Sequence, residues 1–326
     1  MRTLTTTALL AACALLGAAG ASASSAASAG TSGAQFLKLG SGARAGAMAE
    51  AFTAVADDAF AAYYNPAGLA RLERPQLGGA HSALFQGVSY QSLTFVYPFG
   101  HAANRGRIEA AGSRHALGFG IYYLGIGDIE RRTGDSTLPS GTFNSADAAY
   151  AISYAYAPSG RLSLGVTGKY ISQTLDTYSA NAFAADLGAL YRLNPRSERP
   201  ITAGVAARHI GSRIGYVSTQ TDPLPTTVVV GLAAQPTKAF IADLDLGKAR
   251  DGDLYVAAGA ETRKLLSENM TGAFRFGYTT ARKDNEGLNG ISAGAGLAFP
   301  KAAFDFAWTP FGTLGNAFRF SLLVKF

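Results

Sequence analysis

The sequence predicts an all-β fold, an antiparallel transmembrane β-barrel of about 14 strands. Three observations predict it. The final nine residues put Phe318, Phe320, Leu322, Val324 and Phe326 on one face of an extended strand. Arg319, Ser321 and Lys325 fall on the other face, with Leu323 its one apolar member. Side chains alternate sides along a strand, so one wall is greasy and the other polar, as lipid outside and a polar lumen require. Second, charged residues make up only 15% of the 326, while Gly (39), Phe (19) and Tyr (15) are abundant. Soluble domains carry roughly 25% charge. Third, one grammar of alternation followed by a turn recurs from Gln76 to the end.

The amino terminus predicts the compartment. Met1-Arg2, an apolar stretch from Ala8 to Ala21 and the small-x-small run Ala21-Ser22-Ala23 read as a secretory signal peptide over residues 1–23. That stretch is too short for a membrane-spanning helix, and no later run reaches about 18 uninterrupted apolar residues. The expected location is the outer membrane of a Gram-negative-type bacterium. Cys13, the single cysteine, lies inside the signal, so a processed chain has no disulfide or thiolate metal site. Leu10-Ala11-Ala12-Cys13 also resembles a lipobox, which leaves lipidation at Cys13 open. Residues 24–35 are Ser, Ala and Gly with little else, a flexible lead.

Residues 36–75 are helical in taste. Ala43–Val55 is rich in Ala and suits a short helix. Asp57 and Asp58 can cap a turn over Ala59–Tyr64; Pro66 then stops it and Gly68 allows a reversal. The remainder, 76–326, is the barrel. Strands are expected at Gln76–Leu84, Ser89–Phe99, Ala116–Ile129, Ala146–Ala157, Leu162–Asp176, Asn181–Leu193 and Ile201–Ile210. Seven more are expected at Thr226–Ala234, Ala239–Leu246, Leu254–Thr262, Met270–Thr279, Gly290–Phe299, Ala302–Pro310 and Asn316–Phe326. An even count lets an antiparallel sheet close on itself.

Alternation holds strand by strand. Tyr150, Ile152, Tyr154 and Tyr156 oppose Asp147, Ala149, Ala151 and Ser153; Phe304, Phe306 and Trp308 oppose Asp305, Ala307 and Thr309. Near strand ends, Tyr97, Tyr156, Tyr278 and Trp308 suit the aromatic girdles of a membrane boundary. The lumen should then receive Lys169, Arg275, Arg319 and Lys325 with Asp147, Asp186, Asp243, Asp245 and Asp305. Mixed signs suggest ion pairs across the lumen rather than a pore biased to one ion. Arg319, Ser321, Val324 and Phe326 resemble the final-strand signal read by the barrel-assembly machinery, with Ser for the usual Gly and Val for an aromatic.

Other chemistries find little support. The formal charge of +6 is scattered without a basic run, which argues against nucleic acid. Gly290-Ile291-Ser292-Ala293-Gly294 matches a hydrolase pattern, but that chemistry needs a strand-to-helix elbow and this run lies inside an alternating strand. The histidines (His81, His101, His115, His209) have no metal-binding spacing. No enzyme and no cofactor is expected.

The stretch Phe36–Leu72 resembles the amino-terminal signature of the PorV/PorQ family, within the wider FadL-like group of outer-membrane barrels. The matching parts are Phe36-Leu37-Lys38, Gly42-Ala43-Arg44-Ala45, Met48, Ala56-Asp57-Asp58-Ala59 and Asn65-Pro66-Ala67-Gly68-Leu69. Ala49 departs from it, standing where the family usually has Gly. The resemblance implies that this segment, including Arg44, Asp57, Asp58 and Asn65 to Gly68, is a short-helix hatch inside the lumen. It also implies passage or display of secreted proteins with a type IX secretion complex. The FadL-like alternative is uptake of hydrophobic small molecules, and a third reading is a docking barrel of an envelope complex. Outer-membrane lipid is a partner in each case.

Overall fold

The computed structural model describes residues 30–100, 114–132, 134–135, 137–195, 197–217, 220–282 and 289–326. The expected signal peptide (1–23), Cys13 and most of the 24–35 lead lie outside the described residues, as does most of the connection after Gly100.

The first seven strands are β1 (Gln76–Ala83), β2 (Ser89–Phe99), β3 (Arg114–Arg131), β4 (Gly141–Ala157), β5 (Leu162–Leu175), β6 (Tyr178–Arg192) and β7 (Ile201–Gly211). A hairpin follows, β8 (Arg213–Val217) and β9 (Gln220–Pro223). Then come β10 (Thr227–Thr237), β11 (Phe240–Ala249), β12 (Leu254–Ser267), β13 (Met270–Thr279), β14 (Ile291–Ala298), β15 (Ala302–Pro310) and β16 (Asn316–Lys325). Fourteen of these close into one antiparallel ring, with β1 sealed against β16 and β7 paired to β10 past the separate hairpin. Each expected strand is present. The hairpin fills what the sequence left as a connection, because its strands are too short and polar to show a spanning alternation. β3 and β4 also run past their expected bounds, since beyond a bulge between Ile126 and Ile129 the pairing resumes with Ile129–Phe143, Glu130–Thr142 and Arg131–Gly141.

Burial is inverted relative to a soluble domain. Phe274 is 71% exposed on the outer wall, while Asp186 on the inner wall is 0% exposed. Exposed aromatics and buried charges belong to a barrel with lipid outside and a filled interior. Among the described residues no helix is long and apolar enough to cross a membrane. The rim carrying Gln76 and Lys325 is the terminal rim, and the opposite one the far rim. Tyr97 and Tyr156 lie toward the terminal rim, Tyr278 and Trp308 toward the far rim, so the expected aromatics form a pair at each boundary.

The interior is filled by the segment from Phe36 to Leu72. It makes a 3₁₀ turn at Gln35–Lys38, an α-helix at Ala43–Ala47, another at Ala61–Tyr64 and a 3₁₀ turn at Pro66–Arg71. Leu323 and Val96, the apolar breaks in the inner walls of β16 and β2, share a buried cluster with Phe60 and Leu69 of this plug.

Two local expectations are corrected. The helix expected over Ala43–Val55 ends at Ala47, because Ala49 (φ 54°) and Glu50 (φ 67°) turn left-handed. The Ala61–Tyr64 helix does end before Pro66, which holds Asn65 extended, and Pro66 also opens the next turn at its first position, where no N–H is needed. Gly68 makes no reversal; it lies within that turn, where an added Cβ would strike the Ala56 carbonyl oxygen.

The left-handed backbone at 49 explains why glycine suits that position. The close approach comes from the wall, where Gly277 faces the backbone of Met48 and Ala49. Ala49→Gly should therefore raise stability by about 1 kcal/mol, the order of the left-handed penalty on a residue with a β-carbon. Denaturant unfolding of the refolded barrel measures this; a lowered midpoint would show that Ala49 is not strained.

Candidate functional site

Arg44, on the Ala43–Ala47 helix, fastens the plug to the wall. Its guanidinium pairs with Asp57, with Asp58 at 3.1 Å and with Glu261 of β12 at 2.7 Å. Glu261 also receives Arg275 of β13 at 2.6 Å and Arg263 at 2.5 Å, and Arg275 reaches Asp305 of β15 at 2.7 Å. One chain of alternating charge thus joins the plug to three strands. Its members hold one another's charge where water cannot. Asp58 also accepts the Phe60 N–H at 3.0 Å. Burial lifts the Asp58 carboxyl to about 6, with Arg44 pulling the other way.

Asp243 and Asp245 of β11 do different work. The irregular stretch around Phe52 to Val55 has buried N–H groups that need acceptors. Asp245 accepts those of Phe52 and Thr53, each at 3.1 Å, and Asp243 that of Val55 at 3.3 Å. Asn65 ties the next stretch. Its Nδ2 donates to the carbonyls of Thr53 (3.0 Å) and Ala189 (3.2 Å), while Oδ1 accepts the Ala67 N–H at 3.2 Å. Gly165 of β5 lets the turn approach, since a Cβ there would fall 2.7 Å from the Pro66 carbonyl oxygen.

Most predicted residues therefore meet on the plug. Arg44, Asp57, Asp58, Arg275 and Asp305 share one network, and Asp243, Asp245 and Asn65 hold the plug backbone. Arg319 donates to Glu50 at 3.0 Å and to the Gly42 carbonyl at 3.1 Å, and Ser321 Oγ accepts the Ala43 N–H at 3.0 Å. These two final-strand residues thus anchor the plug, whereas Val324 and Phe326 stay outside it. Lys169 and Asp186 form a separate buried pair at 2.5 Å with His209 beside them. The ion pairs join strands one or two places apart in the ring, and the plug, instead of spanning the lumen.

Sequence reasoning missed Glu261, Glu50, Arg208 and His209. Glu261 occupies an inward position of an expected strand, so the alternation contained its signal. Arg208 likewise follows the inward alternation of Thr202, Gly204 and Ala206, whereas His209 is hidden by a β-bulge: Ala185 pairs with Ile210 but Leu187 with Ala207. Asp186 faces two residues there, and both turn inward.

Above the plug, toward the far rim, lies a cavity of about 480 Å³. Lys38, Glu50, Tyr63 and Tyr64 form its floor; Arg208, Tyr255, Arg282 and Arg319 are among its walls. Among the described residues no cluster of His, Cys, Asp or Glu is suited to a metal ion.

The family model for the type IX secretion system protein PorV matches residues 22–245. No curated protein matches the chain. Among solved structures the chain is similar to the CymD monoaromatic hydrocarbon channel, at 15% identity and a TM-score of 0.56, covering 88% of this chain and 98% of that one. It is similar to the Ralstonia pickettii toluene transporter TbuX at 15% identity and 0.55, with the same coverage. The Pseudomonas putida toluene transporter TodX follows at 11% and 0.51, covering 87% and 96%. At these identities the likeness is one of fold.

Proposed function

The chain belongs to the PorV family of type IX secretion system proteins, and from that premise we propose that it receives exported proteins at the outer face of the cell. It is an outer-membrane β-barrel. Turns at 238–239, 268–269 and 299–301 on the terminal rim are short, the β2–β3 connection being the long exception there, while the longer connections β3–β4, β7–β10 and β13–β14 are made at the far rim. Outer-membrane barrels keep short turns in the periplasm, so the far rim faces outward. Secreted proteins and a secretion complex are its partners there. Residues 1–23 serve as the export signal, and Arg319, Ser321, Val324 and Phe326 are read by the assembly machinery.

The observation that supports docking over conduction is the plug, tied to β11, β12 and β16 by charged or hydrogen-bonded side chains. The cavity favours a second reading, uptake of hydrophobic small molecules, but the pinned plug opposes passage beyond it. No catalytic step is assigned. Ser292 of the hydrolase-like run lies within β14, bonded to Arg282 at 3.1 Å, with another strand following.

Deleting the gene in its native host, followed by mass spectrometry of surface and periplasmic proteins, tests this. Exported proteins should be depleted from the surface several-fold and restored by complementation. An unchanged surface set, with uptake of an aromatic compound lost instead, would overturn it.

A further inference from the structure

We propose that the far-rim cavity is a binding site for a compact organic anion, a carboxylate on a flat apolar ring, with Arg208 as its anchor.

The bulge comes first. Strict alternation would point Arg208 and His209 to opposite faces of β7. The extra residue instead directs both inward, with His209 left-handed at φ 59°. A residue bearing a β-carbon holds that conformation only when its surroundings impose it. Here Asp186 Oδ1 accepts the His209 N–H at 2.8 Å, and Lys169 braces Asp186. Arg208 points inward on the ordinary alternation of Thr202, Gly204 and Ala206, and the extra residue adds His209 beside it, so that Asp186 is engaged by His209 and Lys169 and not by the guanidinium.

That guanidinium lacks a counterion. Arg208 lies over the rings of Tyr63 (5.2 Å) and Tyr64 (6.0 Å), and its buried Nε has no hydrogen-bond partner. The cavity's other long cations are engaged otherwise. Lys38 pairs with Asp251 at 2.7 Å and Arg319 with Glu50 at 3.0 Å. Arg282 lies over Phe311 and donates to the Gly290 carbonyl and to Ser292. Among the described residues no carboxylate is within ion-pair distance of Arg208. A guanidinium packed against rings with no carboxylate beside it is costly to maintain, and an incoming carboxylate would supply the missing counter-charge at its cavity-facing end.

The rest of the lining decides the body of the ligand. Tyr63, Tyr64, Tyr255 and Phe311 offer ring faces and edges. The volume falls within the range of small-molecule sites, roughly 300–1,000 Å³. The plug closes the floor, so a long flexible chain has nowhere to continue, whereas a ring carrying one charge fits. This site does not depend on the secretion reading, and its test is separate from secretion.

The test is calorimetric titration of the full-length protein in lipid nanodiscs with benzoate, its neutral analogue benzamide, and octanoate. Benzoate should bind saturably, at least tenfold more tightly than either of the others. Arg208→Gln should weaken benzoate at least tenfold, while Arg161→Gln, on the terminal rim far from the cavity, leaves it unchanged. Equal binding of benzamide, tighter binding of octanoate, no saturable benzoate binding, or an unaffected Arg208→Gln variant would each overturn the proposal. If Arg208→Gln fails to fold, the ligand series on the unaltered protein still decides.

Discussion

Replacing Arg44 with methionine is expected to cost about 3–5 kcal/mol of stability and to loosen the plug, because it strands buried acids without their cation. Asp58 and Glu261 both lie almost out of contact with solvent around Arg44. Methionine keeps much of the side-chain volume over the Phe52 ring, where the guanidinium now lies 5.1 Å from its centroid. The loss would therefore be electrostatic rather than steric. Arg263 and Arg275 still hold Glu261, so the wall end of the chain persists and the plug end fails first. Denaturant unfolding should show a lowered midpoint. In planar bilayers the native protein should be closed and the variant should flicker open. A variant as stable and as silent as the native protein would mean that the plug is held without the Arg44 network.

The second large effect is expected at Gly165. Its missing side chain makes room for the backbone of Pro66 and Ala67, and backbone atoms cannot swing aside as a flexible side chain can. Gly165→Val should lift the Pro66–Arg71 turn from β5 and cost about 3 kcal/mol, the upper part of the range for overpacking. Amide hydrogen exchange across residues 61–72 should quicken tenfold or more. Gly168→Val, on the outer face of the same strand, is the control: nothing lies within 4 Å of a Cβ there. It should leave exchange in the plug unchanged. Equal behaviour of the two variants would refute the seating of the turn against β5.

The barrel was legible because lipid enforces period-two alternation over whole strands, and the exceptions were informative. Leu323 and Val96 broke the polar wall where the plug lays apolar residues against it. Asp243 and Asp245 were visible as inward charges, but their role was not, since it depends on N–H groups of an irregular loop that no periodicity describes. His209 escaped for a related reason. A bulge adds one residue to one strand, and a pattern counted in steps of two then assigns the wrong face. The plug's helices were over-extended because alanine favours helix while saying nothing of left-handed turns at Ala49 and Glu50. Glu261 and Arg208 stand on inward positions of the alternation and were readable from it.

The path of the chain through the ring has a consequence for biogenesis. Near the far rim, Gly33 bonds to Pro223 of the hairpin, whereas β1 begins at the terminal rim with Pro75 bonded to Phe326. The polypeptide is thus strung through its own hoop like a cord through a bead. A cord cannot be strung from the side once the bead is whole. Either its leading end passes through the bore, or the hoop is zipped shut around it. Because the last strand grips Gly42 and Ala43 as well as pairing with the first, joining the hoop and trapping the cord become a single event.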